Sequence, residues 1–521
     1  MNEDQLRKMR KLIWHPIQYV KDGLNKKFPA NKNIDYRESF SELIRFTQSY
    51  NVNSLKVDDE YIWPYLRNHL WAGINSVVLG NRRDQKIRPY RIQGGHPSQI
   101  SNFQKNRLKR LFHAREAQDF PEQEVDFLFF VMQNATEKVQ IADGQIYHRI
   151  MDPLYESALA VGTALKIEVV RTSNLEQNWD KYVHPVVLLL LNINVLKKSE
   201  KLNYDSNIFK QMRQHIRILD TLDEMTLNDL VDYELSTRDY YIKLFRRVKP
   251  KVIFINFYHR YAPLCSAAHA LGIPTIDVQH GLQKGWNPLY NNFAELKGLS
   301  YQALPQMFGV WSRKDYDHIL NTFDSPKHKP ILLGNPWLKK MRAFGLTTDN
   351  ISSRVNLEKL RILIIMQKKL EVPLFLKKLI ENAPENIQWI VRHHPKGSKF
   401  KVAQYSASKD VLVDRIFDTV LISELSPYVD IAISEGSALS LEIADFGVES
   451  IIFGQEGYDN YKDEILSGDL HYVQSEVAFF DFIRSECWKN RQLNQDGSTI
   501  EKTPEIENTL RWLLNNANNQ E

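Results

Sequence analysis

The spacing of apolar residues changes character partway along this chain. Residues 1–120 are polar, aromatic and irregular, with helical patches such as "SFSELIRFTQSY" and "YIWPYLRNHLWAGINSVVLG", and predict a mostly helical N-terminal region. At "EVDFLFFVMQ", residues 124 to 133, the pattern becomes a continuous apolar run, as in a strand buried on both faces. Strands and helices then alternate. "DPLYESALAVGTAL" reads as a helix and "KIEVV" as a strand; a long helical insertion follows, then the strand "KVIFIN", the helix "APLCSAAHALG" and the strand "PTIDV". "QMFGVWS" and "KDYDHILNTF" add a further strand and helix.

A second series starts after "KPILLGNPWL", with strands at "LRILIIMQ", "IQWIV", "VDIAI" and "VESIIF" and helices between them. Strand–helix–strand units of this length specify parallel sheets covered by helices on both faces. The expected fold class is therefore α/β, two doubly wound, Rossmann-like domains at 121–328 and 329–521 facing an interdomain cleft.

In such sheets ligands bind beyond the carboxyl ends of the strands, which directs attention to the loops there. After "IQWIV" comes "RHHPKG", in which Arg392, His393, His394 and Lys396 gather groups suited to an anionic phosphate; a solvated basic turn is the bland alternative. After "VDIAI" comes "SEGSALSLE". Gly436 frees the backbone, Ser437 can cap the following helix, Ser440 lies one turn on, and Glu435 suits ribose hydroxyls rather than phosphate. Plain helix capping is the alternative here.

The third loop is the stretch "GIPTIDVQHGLQKG", where a strand carrying Asp277 runs into Gln279, His280 and Gly281. The neighbouring strand ends in "FYHRYA", which contributes His259 and Arg260. A histidine on such a rim can serve as base, acid or phosphate ligand, or be a satisfied buried histidine with Asp277 anchoring the turn. Gly281 and Gly285 signal close approach of a backbone or ligand. Gly334 and Asn335, in "GNPWL", have the turn chemistry of a hinge or donor loop. "DYD" at Asp315–Asp317 falls within a helical pattern and reads as helix surface. Phosphate-loop and dinucleotide fingerprints are missing.

Composition narrows the classes. With 521 residues, 43% hydrophobic and 25% charged, the chain suits two globular domains. A charge of +5, from 68 basic against 63 acidic residues, makes nucleic acid an unexpected partner. The two cysteines, Cys265 and Cys487, exclude a disulfide framework and a cysteine-based zinc site, and favour a reducing, cytoplasmic location. The longest apolar run, "VVLLLLNINVL", breaks at Asn192, short of a membrane span. Residues 1–27 form a basic segment with Leu6, Met9, Ile13, Ile17 and Val20 at helical spacing. Such a segment can lie on an anionic membrane surface, although Pro16 also fits a surface helix packed on its own domain.

Taken together, these motifs resemble those of the two-domain GT-B glycosyltransferases that build bacterial capsule and lipopolysaccharide. "IPTIDVQHG" is similar to the strand and Gln-His-Gly turn of capsule-synthesis proteins, including those that transfer Kdo. "RHHPKG" resembles the His-Pro motif of bacterial sialyltransferases, and "SEGSALSLEIADFGVESIIFG" their serine motif. The sialyltransferases' acidic-acidic-Gly motif has no counterpart here, so no acid or base is carried over. The resemblance implies a metal-independent transferase needing no cofactor beyond its nucleotide-sugar co-substrate, with CMP-Kdo or another CMP-sugar favoured over a UDP-sugar. It implies a glycan or lipid-linked glycan acceptor and peripheral association with the inner membrane through residues 1–27. His280, His259 and Asp277 are then the catalytic candidates, with Arg260, Gln279 and Gly281 lining the cleft. Arg392, His393, His394, Lys396, Glu435, Gly436, Ser437, Ser440, Gly334 and Asn335 bind the donor. A sugar-nucleotide 2-epimerase, a CDP-polyol phosphotransferase and a non-catalytic capsule-assembly scaffold are the alternatives.

Overall fold

The fold comes from a computed structural model describing residues 36–71, 114–131, 137–141, 144–169, 181–191, 193–198, 202–203, 206–216, 224–285, 287–293, 296, 298–343, 349–367, 372–394, 410–490 and 505–518. Helix α1 (Tyr36–Ser49) precedes a small antiparallel sheet of Lys56–Val57, Glu60–Tyr61 and Leu202–Asn203. Phe40, Phe46, Trp63 and Leu66 from this region share one core with Phe130, Tyr241 and Leu264. Its described part is thus built into the first domain.

That domain begins with β1 (Val125–Val131) and a hairpin, β2 (Lys138–Gln140) and β3 (Ile146–His148). There follow α2 (Asp152–Leu159), β4 (Ala164–Val169), β5 (Val187–Leu189), α3 (Glu224–Val248) and β6 (Pro250–Ile255). Next come α4 (Ala262–Ala270), β7 (Thr275–Val278), β8 (Met307–Val310), α5 (Arg313–Phe323) and β9 (Lys329–Leu332). The seven-stranded sheet has the order β9-β8-β7-β6-β1-β4-β5, with every pairing parallel. Successive residues of a strand face opposite sides, and the core divides accordingly. Leu128, Phe130, Ile253 and Ile255 pack with Leu244 of α3 and Leu264 of α4 on one face. Phe127, Phe129, Val252 and Phe254 pack with Leu154 of α2 and Leu510 of the C-terminal helix on the other. Each such fully buried side chain stabilises the domain by roughly 1.5–3 kcal/mol.

Helix α6 (Pro336–Ala343) leads into the second domain, with β10 (Leu360–Ile365), α7 (Leu374–Glu381), β11 (Ile387–Arg392), β12 (Val411–Leu412) and α8 (Arg415–Thr419). Strand β13 (Ile431–Ser434), α9 (Leu439–Ala444), β14 (Glu449–Phe453), α10 (Gln455–Asn460), α11 (Lys462–Ser467), β15 (His471–Val473), α12 (Glu476–Ser485) and α13 (Ile506–Asn518) complete the described chain. The order β12-β11-β10-β13-β14-β15 is again parallel throughout. Two doubly wound parallel sheets, one in each domain, thus make the expected α/β, Rossmann-like fold.

Two points differ from the expected layout. The boundary after residue 328 leaves all of β9 with the second domain, although β9 pairs with β8 in the first sheet, and α13 returns to pack Leu510 and Leu513 on the first domain. Within the stretch read as a helical insertion, Val187–Leu189 is a sheet strand too short to show its period.

Candidate functional site

Each sheet reverses its strand order at one place, between β1 and β6 in the first domain and between β10 and β13 in the second. The loops that leave these strands are where a ligand is expected.

In the first domain, pairing of Asp277 with Ile255 sets the turns after β7 and β6 side by side. Phe257 turns the chain at φ 63°, a left-handed conformation that costs a bulky residue on the order of 1–3 kcal/mol. Its ring lies 3.5 Å, centroid to centroid, from His280 and 5.9 Å from His259, and Trp71 meets His259 edge-on at 5.2 Å. The Nδ1 atoms of His280 and His259 are buried without a hydrogen-bond partner. Burial pushes the pKa of His280 down to about 4, against the pull of the Glu137 carboxylate. Burial, reinforced by Arg260 and His280, holds His259 well below the usual range. Both imidazoles are therefore neutral near pH 7 and able to accept a proton.

The other residues expected on this rim behave differently. Asp277 is fully buried, accepting from the Tyr258 N–H (3.1 Å) and the Tyr290 hydroxyl (2.7 Å), and burial raises its pKa to about 7. It anchors the strand end and is not placed to touch a substrate. Gln279 is also spent within the protein: it accepts from Trp311 N–H at 2.7 Å and donates to the Gly281 carbonyl at 3.1 Å and Asp315 at 3.2 Å. It holds the turn and does not line the cleft. Arg260 is exposed. Of the two glycines, Gly281 has open space where a Cβ would be, whereas Gly285, at φ 67°, would place one 2.8 Å from the Cα of Asn460 in the second domain.

Sequence reasoning missed the hairpin's contribution. The Arg149 N–H donates to the Glu137 carbonyl at 2.8 Å, closing the hairpin's base. Glu137 Oε2 receives Asn256 Nδ2 from the end of β6 at 2.6 Å and lies 3.2 Å from His148 Nε2. His148 Nδ1 accepts the Met151 N–H at 3.2 Å, so its proton sits on Nε2, toward Glu137. Beneath, Asp152 accepts from His148 N–H (2.7 Å) and Lys166 (2.6 Å), both buried. Short alternating segments around Gly144 in "EKVQIADGQIYH" were the available signal.

On the second domain's rim most expected ligands are engaged internally. Arg392 Nη1 donates to the carbonyls of Phe417 (2.8 Å) and Val420 (2.9 Å), tying down the end of α8. Burial lowers its pKa to about 10 despite Asp418 and Glu442. His393 donates its backbone N–H (2.7 Å) and Nδ1 (3.1 Å) to Asp418. Ser440 is fully buried and shares a hydrogen bond with Ser434 Oγ at 2.8 Å, so it does not face a donor. Ser434, unnoticed in the sequence, organises this loop by accepting from the N–H groups of Gly436 (3.2 Å) and Ser437 (3.1 Å). Ser437 Oγ accepts from Leu439 N–H at 3.3 Å, a local turn bond, while the N-cap position of α9 is taken by Ala438. Gly436 turns at φ 150°, and Glu435 beside it stands at the switch point. His394 is half-buried just past β11. Gly334, at φ 68°, and Asn335 form the link from β9 to α6. Lys396 and residues 1–27 lie outside the described residues.

The rims meet at several points. Arg149 Nη1 pairs with Glu442 Oε1 at 3.0 Å, and Arg149's charge acts on both His280 and Arg392. Tyr147 of the hairpin joins Trp337, Ile443 and Ala432 in an apolar cluster, and Leu282 packs with Tyr461 and Leu470. Lys284 pairs with Glu464. His280, Glu137 and Arg149 of one domain thus face Glu442 and Arg392 of the other. Among the described residues no group of three or more His, Cys, Asp or Glu is placed to hold a metal ion, and no helix is long and apolar enough to cross a membrane.

No protein-family model matches the chain, nor does any curated protein. Solved structures do. The UDP-GlcNAc 2-epimerase from Neisseria meningitidis, bound to UDP-GlcNAc, is 12% identical over 76% of this chain and 100% of its own, with a TM-score of 0.47. A putative UDP-N-acetylglucosamine 2-epimerase from Listeria monocytogenes is 10% identical over 77% and 97%, at 0.45. The calicheamicin glycosyltransferase CalG4 is 8% identical over 76% and 94%, at 0.42.

Proposed function

We propose that the chain is a glycosyltransferase that moves a sugar from a nucleotide-sugar donor, a CMP-sugar such as CMP-Kdo foremost, to a glycan acceptor of a bacterial surface polysaccharide. The observation that carries this reading is the neutral His280 with its buried, unpartnered Nδ1, on a rim whose Arg149 bridges to the opposite domain. In this reading the acceptor hydroxyl bonds to the anomeric carbon, its proton passes to His280, and the bond to the nucleotide phosphate breaks. Arg149, with the field of Arg392, meets the charge on the departing phosphate, and Glu435 receives ribose hydroxyls. Contacts between the rims exclude water and favour transfer over hydrolysis.

The test is a thermal-shift panel of CMP, CDP, UDP and GDP, since a ligand that binds the folded state raises its melting temperature. Preferential stabilisation by CMP supports the CMP-sugar donor, and a response to none overturns the reading. Conversion of a UDP-sugar to its epimer without acceptor would instead identify a 2-epimerase.

A further inference from the structure

Arg149 has a combination of features found in no other cation of the described cleft. Its backbone is fixed by the bond to the Glu137 carbonyl, and its side chain is only 21% exposed. One nitrogen, Nη1, pairs with Glu442 across the domain gap, while Nε is buried without a hydrogen-bond partner among the described residues. A guanidinium has five donors in a planar fork that matches a phosphate two at a time. A buried donor left unmade is costly unless another partner arrives. The strand-end arginine on the opposite side of the cleft, Arg392, has Nη1 committed to two backbone carbonyls. Glu442 is itself 3% exposed, on the short helix α9 behind the Glu435–Ser437 loop. A carboxylate is the protein's own stand-in for a phosphate.

From this geometry we infer that Arg149 of the first domain receives the phosphate of the nucleotide, and that Glu442 occupies Arg149 until the phosphate takes its place. The inference rests on the nucleotide-sugar reading and deepens it. It adds a first-domain cation to a donor site whose expected ligands, Arg392 to Ser440 with Gly334 and Asn335, all lie in the second half of the chain. Nucleotide binding then exchanges one interdomain ion pair for a phosphate held between the domains, and the unmade Nε donor gains an acceptor.

The experiment measures binding of CMP, UDP and inorganic pyrophosphate, each nucleotide beside its nucleoside, to the full chain and to Arg149→Met, Arg149→Lys and Glu442→Gln. Arg149→Met is expected to weaken nucleotide and pyrophosphate binding by about tenfold or more while leaving nucleoside binding unchanged. Arg149→Lys, which keeps the charge but not the fork, gives a smaller loss. Glu442→Gln tightens binding of the phosphate-bearing ligands by removing their competitor. Equal weakening of nucleotide and nucleoside by both Arg149 variants would mark Arg149 as structural and overturn the inference. Undiminished pyrophosphate and nucleotide binding by Arg149→Met would also overturn it. If the unaltered chain binds pyrophosphate through Arg149 but no nucleotide, the anion site stands and the nucleotide-sugar reading falls. If it binds neither, both fall.

Discussion

The two cleft rims carry similar residues in opposite conditions. On the second domain Arg392, His393, Ser434, Ser437 and Ser440 all bond to their own protein, to helix-end carbonyls, to Asp418 or to loop N–H groups. On the first, His280, His259 and Arg149 each retain a buried nitrogen with no partner. Buried polar groups are nearly always satisfied, so a cluster that is not marks where the protein awaits something else. These second-domain side chains are scaffold for the loop that carries Glu435, and the first domain's rim is where proton transfer fits.

The contrast is sharpened most by His280→Ala, which is expected to slow sugar transfer by about 10²–10⁴-fold while leaving nucleotide binding and melting temperature almost unchanged. Retained transfer with a lowered melting temperature would show instead that His280 is packing. Next is Asp277. Burial raises its folded pKa to about 7, so its stabilising neutral form is fully present below the unfolded value near 4 and is lost as pH rises through about 7. Relative to Asp277→Asn, the native chain should lose on the order of 3 kcal/mol between those limits. Parallel melting curves for the two proteins from pH 4 to 8 check this; curves that stay parallel refute it.

Smaller effects separate the glycines and the serine loop. Gly285→Ala forces a side chain onto Asn460 in the opposite domain from a left-handed backbone, and should cost about 2 kcal/mol in chemical denaturation. Ser434→Ala strips the shared acceptor from two N–H groups and should cost about 1–2 kcal/mol, read from the denaturant midpoint. If Ser434→Ala abolished transfer without loss of stability, the second rim would be more than scaffold. Gly281→Ala, with open space around it, should fall within about 0.5 kcal/mol of the native chain.

The sheets were legible in the sequence where strands are continuous and apolar. "VDFLFFV" and "LRILII" are observed strands because only residues buried on both faces read that way. Val411–Leu412 was missed and Lys329–Leu332 assigned to the wrong domain, since runs that short have no period to detect and only their apolar content, as in "PTIDV" and "VDIAI", can reveal them. The site was legible as loops and only partly as residues. Strand-end positions of His259, His280 and Glu435 followed from the alternation, but Glu137 and Arg149 come from segments with no motif, and Glu442, the last residue of "SEGSALSLE", was given no role.

The sequence by itself determined the α/β alternation, the two parallel sheets and the loops at their carboxyl ends, because local apolar period reports burial directly. Only the tertiary structure decided which polar side chains in those loops are spent on the protein and which are not. That distinction depends on partners far apart in the chain: Arg149 with Glu442, His393 with Asp418, Gly285 with Asn460. A hydrogen bond or ion pair is made within a few ångströms in space, and no pattern along the chain encodes who arrives there.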